Sequence, residues 1–328
     1  MSSGRIADIQ DTKPDLSIVT GAFGFSGRRI AHKLLLRGGR VRTLTNHPDS
    51  TSPQYDHLEV APLDFSNFQG LTQSMAGAGV PYNTYWIRFA YGHVSHKSAV
   101  ENTKLLIRAA KTAGVSRIVH VSITNPSVQS ESPYFKGKAE VEEAIRSSSL
   151  PYAILRPAVL FGEEDILINN IAWMLRRFPV FAIPGAGEYR VQPIFVEDLA
   201  ELAVGSGQRR DSFTVDAVGP EIYRYEDLVK LIRTVIRSRC RIVHFPPSIV
   251  RVASWILGEI VNDVVLTHDE IRGLMADLLV SHRPPTGSTS LRTWIESHAQ
   301  TIGSTYASEL QRHYRPVSST TEPAPLRS

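Results

Sequence analysis

The feature that most constrains the fold is a glycine-rich turn between a short apolar run and a helix pattern near the start of the chain. Residues 16–20 read Leu-Ser-Ile-Val-Thr, the glycines Gly21, Gly24 and Gly27 follow at three-residue spacing, and an amphipathic pattern continues to Leu36. Glycine tolerates positive φ, allows the backbone to approach a ligand and lets the helix pack close to the strand. Because a strand, a glycine turn and a helix in this order form a nucleotide-binding βαβ unit, the sequence predicts a dinucleotide with its pyrophosphate at the helix N-terminus.

The type of dinucleotide is predicted from residues near this turn. The carboxylate that binds the adenosine ribose usually stands about 20 residues after the glycines, but Asn46 occupies that region here. Without that carboxylate, and with Arg28 and Arg42 close in sequence, we predict NADP as the cofactor and NAD as the alternative. The competing interpretation is that Arg28 is a solvated helix residue and that Arg42 faces outward from its strand. Besides the three glycines, the cofactor contacts predicted in this region are Phe23, Phe25, Ser26, Arg28 and Asn46.

Apolar strand-like runs alternate with helix-period segments along the first half of the chain, as a parallel sheet with crossover helices requires. After Arg156 the elements become shorter and contain more proline and glycine. This pattern predicts an α/β fold, a Rossmann-type doubly wound parallel sheet with a smaller C-terminal substrate lobe. The predicted strands are 16–20, 40–45, 57–63, 84–89, 117–122 and 152–155, and the predicted helices include 99–113 and 134–148. The predicted organisation is a flexible N-terminus (1–14), a Rossmann domain (15–160), a substrate lobe interwoven with it (161–315) and a disordered tail (316–328).

The composition narrows the classes of function. The 328 residues carry a net charge of +4, but the arginines are scattered, so no nucleic-acid partner is predicted. Cys240 is the only cysteine, which favours a reducing, cytoplasmic location. His93 and His96 form an H-x-x-H pair without a third ligand nearby in sequence, so no metal is predicted. The apolar stretch 249–266 contains charged residues, and we expect a helical hairpin packed on the protein or over a ligand site rather than a transmembrane segment.

Tyr134 and Lys138 form the predicted catalytic pair. They stand four residues apart in a helix pattern and therefore share one face. A lysine ammonium beside a phenol lowers the pKa of the phenol, which suits a general acid or base near neutral pH. The pair follows the predicted strand 117–122, so Ser122 or Thr124 would present a hydroxyl at the C-terminal edge of the sheet and polarise a substrate carbonyl. The alternatives are a half-buried aromatic ring, a solvated lysine and an ordinary strand-end hydroxyl.

Further nucleotide contacts are predicted where other strands end. Asp64 follows the third predicted strand and is placed to accept a hydrogen bond from the adenine amino group, with a helix N-cap as the alternative role. Phe65 lies next to it, and Phe89 and Ala90 lie at the end of the fourth predicted strand. All four residues are predicted to contact the cofactor.

The glycine loop, the strand-end hydroxyls and the Tyr-x-x-x-Lys pair, in this order, resemble the short-chain dehydrogenase/reductase superfamily in its extended or atypical branch. Segments 83–89, 165–170 and 306–310 are similar to those of NAD(P)-binding epimerase-like and NmrA-like proteins, which are related to the nucleotide-binding accessory subunit of respiratory complex I. The resemblance covers residues 15–315. That group contains enzymes and members that only hold a nucleotide, so membership alone does not supply a reaction.

The resemblance implies further site residues. In the segment Leu155–Gly162, it implies that Pro157, Ala158 and Val159 meet the nicotinamide carboxamide. It also implies substrate contacts by Asn169 and by Arg190, the latter on a substrate phosphate. A salt bridge at the rim is the alternative for Arg190, because the residue after it is valine where an aspartate is usual.

Together these features predict an NAD(P)-dependent oxidoreductase or epimerase. Tyr134 would exchange the proton during hydride transfer at a carbonyl or alcohol carbon, while Lys138 tunes it and holds the nicotinamide ribose. The expected partner is a small-molecule substrate, either phosphate-bearing or bulky and apolar, and a homodimer is the assembly common in this superfamily. The alternative function is a non-catalytic NAD(P)-binding scaffold or a redox-sensing regulator.

Overall fold

A computed structural model describes residues 16–49, 52, 55–265 and 267–313. The predicted flexible N-terminus and disordered tail lie outside the described residues. In chain order the elements are β1 (Leu16–Thr20), α1 (Phe25–Leu36), β2 (Arg40–Leu44), β3 (Leu58–Ala61), α2 (Phe68–Met75), β4 (Ala78–Asn83), α3 (His96–Thr112), β5 (Ile118–Val121), α4 (Pro133–Ser147), β6 (Tyr152–Pro157), β7 (Val159–Phe161), α5 (Leu167–Arg177), β8 (Val180–Pro184), β9 (Arg190–Val191), β10 (Pro193–Phe195), α6 (Val196–Gly207), β11 (Phe213–Ala217), β12 (Tyr223–Arg224), α7 (Tyr225–Val235), β13 (Arg241–Phe245), α8 (Pro247–Val261), α9 (His268–Met275), α10 (Leu291–Ser297) and α11 (Glu309–His313).

Seven strands form a central parallel sheet in the order β11-β6-β5-β4-β1-β2-β3. Helices α1 and α6 cover one face, where they bury residues such as Ile30 and Leu199, and α2, α3 and α4 cover the other. The strand order reverses at β1, which has β2 on one side and β4 on the other. Open sheets bind ligands at the C-terminal edge beside such a reversal. The predicted α/β fold with a Rossmann-type doubly wound sheet is therefore confirmed.

The fourth strand of the sheet differs from the prediction. It is Ala78–Asn83, and the predicted strand 84–89 is instead the irregular segment that follows it. Gly79 and Pro81 made the true strand look like a loop, since both residues are unusual in strand interiors. At the end of this strand, Thr20 Oγ1 accepts hydrogen bonds from the backbone N–H groups of Thr84 and Tyr85. These bonds direct the aromatic run across the C-terminal edge of the sheet, where it lines the site described below.

Apart from α6 and β11, which belong to the central sheet layer, most of the chain beyond β6 forms a second packed region. Three two-stranded sheets pair β7 with β10, β8 with β13 and β9 with β12. They enclose a core with α5, α7 and α10, which includes the fully buried Phe161 and Ile295. The apolar stretch 249–266 contributes α8, which lies along β8. Among the helices of the described ranges, none is long and apolar enough to cross a membrane.

Candidate functional site

The glycine turn has the local geometry of an anion-binding helix start. Gly21 has a φ of 67°, a conformation that side chains other than glycine rarely adopt. A Cβ on Gly27 would lie 2.3 Å from the Gly21 carbonyl oxygen, so this position holds α1 close to β1 only as glycine. Gly24 begins α1 without a side-chain cap, and the first turn of the helix contains no acidic residue. The N-terminal N–H groups of α1 are thus presented to a ligand, and a dinucleotide pyrophosphate fits this cradle.

A cavity of about 740 Å³ extends along the C-terminal edge of the sheet beside this turn. Five residues predicted to contact the cofactor line it, from the start of α1 to the segment after β6, whereas Asn46, Asp64 and Phe65 at the predicted adenosine end do not. Tyr134 also lines it, whereas Ser122, Thr124 and Lys138 do not. The five predicted cofactor contacts in the cavity wall are Phe25, Phe89, Ala90, Ala158 and Val159.

Tyr134 lies in the first turn of α4, within a cluster of aromatic rings. Its ring meets those of Trp86 and His96 edge-on, with centroids 6.0 Å and 5.8 Å away. Burial raises the pKa of Tyr134, and the carboxylates of Glu270 and Glu309 raise it further against the opposing charge of Arg88. The expected lowering of this pKa by Lys138 is therefore not found. Near neutral pH the phenol keeps its proton, so it is present in the form that a proton donor requires.

Lys138 lies one helical turn further along α4 but is directed away from the cavity. Its ammonium donates a hydrogen bond to the Val121 carbonyl oxygen at 2.8 Å and lies 4.5 Å from the centre of the Trp86 ring. Burial lowers the pKa of Lys138 to about 7, against the opposing effect of Glu142. The indole of Trp86 thus contacts both the tyrosine ring and the lysine. In this arrangement the lysine anchors α4 to the end of β5.

The two strand-end hydroxyls are committed to structural hydrogen bonds. Ser122 Oγ donates to Glu142 Oε1 at 2.6 Å, and Thr124 Oγ1 donates to the Leu278 carbonyl oxygen at 2.8 Å. A hydroxyl has one proton to donate. Neither residue therefore has a proton left to polarise a substrate carbonyl, and the predicted role for both is corrected. The cause is the buried carboxylate of Glu142, which also binds Arg156 and was not visible as a competitor in the sequence.

The two arginines behind the NADP prediction are occupied as well. Arg28 forms an ion pair with Glu164. Arg42 donates to Glu59 and to two backbone carbonyl groups at the end of α2. Asn46 bridges to the backbone of Leu63 through both its amide oxygen and its amide nitrogen. The structure therefore supports an NAD(P) site but gives no free arginine at these two positions to select a 2′-phosphate.

The other predicted nucleotide contacts lie near the C-terminal edge of the sheet. Asp64 accepts hydrogen bonds from the backbone and hydroxyl of Ser66, while Asn67 is the N-cap of α2, so the alternative role of Asp64 as that cap is wrong. Phe65 contacts Tyr85, with ring centroids 4.9 Å apart. Phe23 lies in the glycine turn, Ser26 is in the first turn of α1, and Pro157 ends β6, which places all three at the same edge of the sheet.

Neither predicted substrate residue is available for a substrate. Arg190 forms an ion pair with Asp277, in which Nε and Nη2 both donate to Oδ2, at 2.9 Å and 2.7 Å. This is the salt bridge considered as its alternative role. Asn169 is buried and uses its amide to join Asp165, the Gly162 carbonyl and the Gly303 backbone. Asn169 therefore holds α5 to the C-terminal segment, and both substrate contacts are corrected.

The structure adds residues to the cavity wall that the sequence did not indicate. Arg88 pairs with Glu270 and donates to the Val265 carbonyl oxygen, and Glu309 lies in the same wall. Arg88 and Glu270 are 182 residues apart, so no local motif connects them. His96, considered only for a metal, lines the cavity instead, and burial lowers its pKa. Within the described ranges, no three potential metal-ligating side chains come together.

Residues 21–170 match the model of the NAD(P)H-binding family. Over 285 residues the chain is 27% identical to a protein of Arabidopsis thaliana named NADH dehydrogenase [ubiquinone] 1 alpha subcomplex subunit 9, mitochondrial, covering 81% of this chain and 71% of that protein. The mitochondrial NADH-ubiquinone oxidoreductase 40 kDa subunit of Neurospora crassa is 25% identical, covering 82% and 72% of the two chains. An NADPH-dependent quinone oxidoreductase from Escherichia coli, solved with NADPH, superposes with a TM-score of 0.69 at 18% identity, covering 86% and 99% of the two chains, which shows a shared fold.

The names of the two sequence relatives contradict the predicted cytoplasmic location, because both are mitochondrial proteins. A single cysteine indicates a chain without internal disulfides, and it does not distinguish one compartment from another. The family match, the sequence relatives and the doubly wound sheet agree with the resemblance drawn from the glycine loop and the Tyr-x-x-x-Lys pair. Residues 21–170 therefore form an NAD(P)H-binding domain, and the chain is similar to proteins of the extended, atypical (NmrA-like) branch of the short-chain dehydrogenase/reductase superfamily.

Proposed function

We propose that this protein is an NAD(P)H-dependent reductase of carbonyl compounds, with Tyr134 as the proton donor. The observation that carries the proposal is the position of a protonated phenol in the cavity that adjoins the glycine turn. Reduction of a carbonyl requires a hydride for the carbon and a proton for the oxygen. Among the four predicted catalytic residues, only Tyr134 lines the cavity, and its phenol is protonated near neutral pH.

The residues of the site divide into two groups. Gly21, Gly24 and the start of α1 would hold the pyrophosphate, while Ala158 and Val159 would border the nicotinamide. A reduced nicotinamide supplies the hydride when it is bound. Tyr134 would then donate its proton to the substrate oxygen and be recharged from solvent. The aromatic and aliphatic cavity wall would exclude bulk water from the transfer.

The proton needed for reduction is present on Tyr134. Burial and two carboxylates raise the pKa of Tyr134, and Lys138 is engaged with Val121 and does not offset them. The phenol is therefore protonated near neutral pH, which is the form that carbonyl reduction requires. The same residue would accept the proton in the reverse oxidation, so the supply of reduced nucleotide and carbonyl substrate decides the direction.

The test is Tyr134→Phe, assayed with NADPH and NADH on a panel of aldehydes and ketones. We expect the turnover number to fall by roughly 10²- to 10⁴-fold, the usual contribution of a positioned acid, while the nucleotide dissociation constant stays within about twofold. Tyr152→Phe is the matched control, because Tyr152 begins β6 and does not line the cavity. Turnover that survives in Tyr134→Phe would remove the tyrosine from the mechanism.

A second candidate function is a nucleotide-holding subunit of a respiratory NADH dehydrogenase. It is favoured by the names of the relatives that match more than four fifths of the chain, and by the structural hydrogen bonds that occupy Ser122, Thr124 and Lys138. In this case the nucleotide would stabilise the fold by mass action, by about 2.7 kcal/mol at a hundredfold excess over its dissociation constant. Tight binding and thermal stabilisation without deuterium transfer from labelled nucleotide to any carbonyl in the panel would favour this function over the reductase.

A further inference from the structure

A second cavity of about 370 Å³ lies under helix α8 and adjoins the cavity that contains Tyr134. Its walls are α8 on one side and α5 with β8 on the other. The two cavities share four wall residues, so the space beside Tyr134 continues under α8 past the Arg88–Glu270 ion pair. The shared wall residues are Arg88, Ile166, Leu167 and Leu274.

The cavity under α8 is long and apolar. Its α8 wall runs from Val250 to Ile260, which at 1.5 Å per residue is about 15 Å. The polar side chains that border it include Asn170, whose amide is bonded to the Ala307 backbone, and Arg88, which pairs with Glu270. A space with such walls favours aliphatic groups over polar ones, because a buried polar group without a partner loses its hydration.

The outer rim of this cavity is apolar too. Ile256 and Ile260 line the cavity and are 50% and 73% exposed, and Trp255 beside them is 67% exposed. Large apolar side chains exposed together usually mark a place where an apolar partner or ligand is met. Here their continuity with the cavity indicates an entrance for an aliphatic molecule.

The charges around Tyr134 restrict the other end of such a molecule. Four carboxyl residues line that cavity, and the only described arginine or lysine in its wall is Arg88, which is already paired. Burial raises the pKa of Asp165 to about 7 and Glu270 pairs with Arg88, so the excess negative charge that an anionic group would meet comes mainly from Asp269 and Glu309. By contrast, the buried Trp86 Nε1 and Ser132 Oγ have no hydrogen-bond partner among the described residues and could serve a neutral oxygen. The four carboxyl residues are Asp165, Asp269, Glu270 and Glu309.

From this geometry we infer that the substrate is a neutral carbonyl compound with a long aliphatic chain, whose chain lies under α8 and whose oxygen lies at Tyr134. That the bound molecule is a substrate rests on the proposed reductase function. The binding itself needs no nucleotide and can be measured alone. A nucleotide sugar is disfavoured by the same argument, since its phosphates would face the carboxylates and Arg190 is already paired with Asp277.

The test is calorimetric titration of the full chain, without nucleotide, with methyl ketones of increasing chain length from methyl propyl to methyl nonyl ketone. We expect the affinity to rise by up to about fourfold per added methylene, and decanoate to bind at least about tenfold more weakly than methyl nonyl ketone. Ala253→Trp, at an exposed position that lines the cavity, and Leu257→Arg, further inside, should abolish this dependence. Ile249→Arg is the matched control, because Ile249 is on the same helix and 50% exposed but outside the cavity wall.

An affinity that does not depend on chain length, or a dependence that survives in Ala253→Trp and in a folded Leu257→Arg, would overturn the inference. Two results in the absence of ketone binding would also overturn the inference: a dimer that dissociates in Ile249→Arg, or sedimentation of the protein with phosphatidylcholine vesicles. In either case the exposed face of α8 would be a protein or membrane contact. Chain-length-dependent binding without nucleotide-dependent reduction would retain the chain site and refute the proposed reductase. Reduction of short ketones with a rate and affinity that do not depend on chain length would retain the proposed reductase and refute the chain site.

Discussion

Substitution of Glu142 by glutamine tests how helix α4, which carries Tyr134, is held to the sheet. Glu142 is 1% exposed and accepts hydrogen bonds from Ser122, Arg146 and Arg156 at 2.6 Å to 2.9 Å. Removing one charge from a buried ion pair usually costs about 3–5 kcal/mol, and the lower end of this range applies here because the side chains of Arg146 and Arg156 are 34% and 21% exposed. With an unfolding entropy of about 2.1 cal/mol/K per residue, 1 kcal/mol corresponds to roughly 1.5 °C for a chain of 328 residues, so we expect the melting temperature at pH 7 to fall by about 4–7 °C.

The pH dependence of this effect has a definite sign. Burial alone would raise the pKa of Glu142, but the hydrogen bonds from Arg156 and Ser122 outweigh it and hold the pKa below the value of 4.5 for a free glutamate. Because the folded-state pKa lies below the unfolded one, the stabilisation is present above about pH 4.5 and is lost as the pH falls through the folded-state value. The difference in melting temperature between wild type and Glu142→Gln should therefore shrink below about pH 4.5.

The assay is thermal unfolding followed by circular dichroism across this pH range, with Glu143→Gln as the control. Glu143 is the next residue on α4, its side chain is 69% exposed and it lies 4.0 Å from Arg146. Exposed pairs of this kind usually contribute less than about 1 kcal/mol. A Glu142→Gln protein that unfolds within about 2 °C of the Glu143→Gln protein at pH 7 would refute the view that the carboxylate anchors α4 and occupies Ser122.

Three further predictions concern single side chains. In a fluorescence titration with nucleotide, Gly27→Ala should bind at least about tenfold more weakly than wild type, because the new Cβ would lie 2.3 Å from the Gly21 carbonyl oxygen. The control Gly205→Ala should bind like wild type, because its Cβ would have no atom within 4 Å. In denaturant titrations, the free energy of unfolding of the wild type should rise between about pH 7 and pH 10 by up to about 1.4 kcal/mol per pH unit, and Lys138→Met should lack this rise. The reason is that Lys138 keeps its proton in the unfolded chain at these pH values, whereas burial removes it in the folded protein. Equal slopes for the two proteins would contradict the lowered pKa of Lys138. Arg190→Ala should cost less than about 1 kcal/mol in the same titrations and leave nucleotide affinity unchanged, because its pair with Asp277 is more than one third exposed; a large loss of affinity would restore a phosphate-binding role.

The parts of the fold that the sequence predicts well are those whose signals are local. The strand, glycine turn and helix at residues 16–36 follow from adjacent residues, and their geometry is the one that the glycines require. The strand Ala78–Asn83 was missed because Gly79 and Pro81 contradict strand propensity, although parallel pairing with β1 and β5 selects that segment. The strand Phe213–Ala217 was also absent from the predicted set, and it joins the sheet by pairing with β6.

The site shows the same division between local and distant contacts. The sequence placed Tyr134 and Lys138 on one helix, but the partners that decide their protonation lie elsewhere in the chain. Glu270 and Glu309 raise the pKa of Tyr134 from more than a hundred residues away, and Val121 takes the ammonium of Lys138. No periodicity or spacing in a single sequence reports such contacts, so the roles of individual side chains required the folded structure.

The measurement that tests the account most directly is fluorescence titration of the purified protein with NADPH and NADH, comparing wild type with Gly24→Asp. Gly24 begins α1 at the predicted pyrophosphate site, and an aspartate there would place negative charge where the helix should receive phosphate. If the glycine turn is the nucleotide site, at least one of the two nucleotides should bind the wild type saturably, and this binding should be lost in Gly24→Asp. Binding of neither nucleotide to wild type, or equal binding to both proteins, would contradict the assignment of the glycine turn as the nucleotide site.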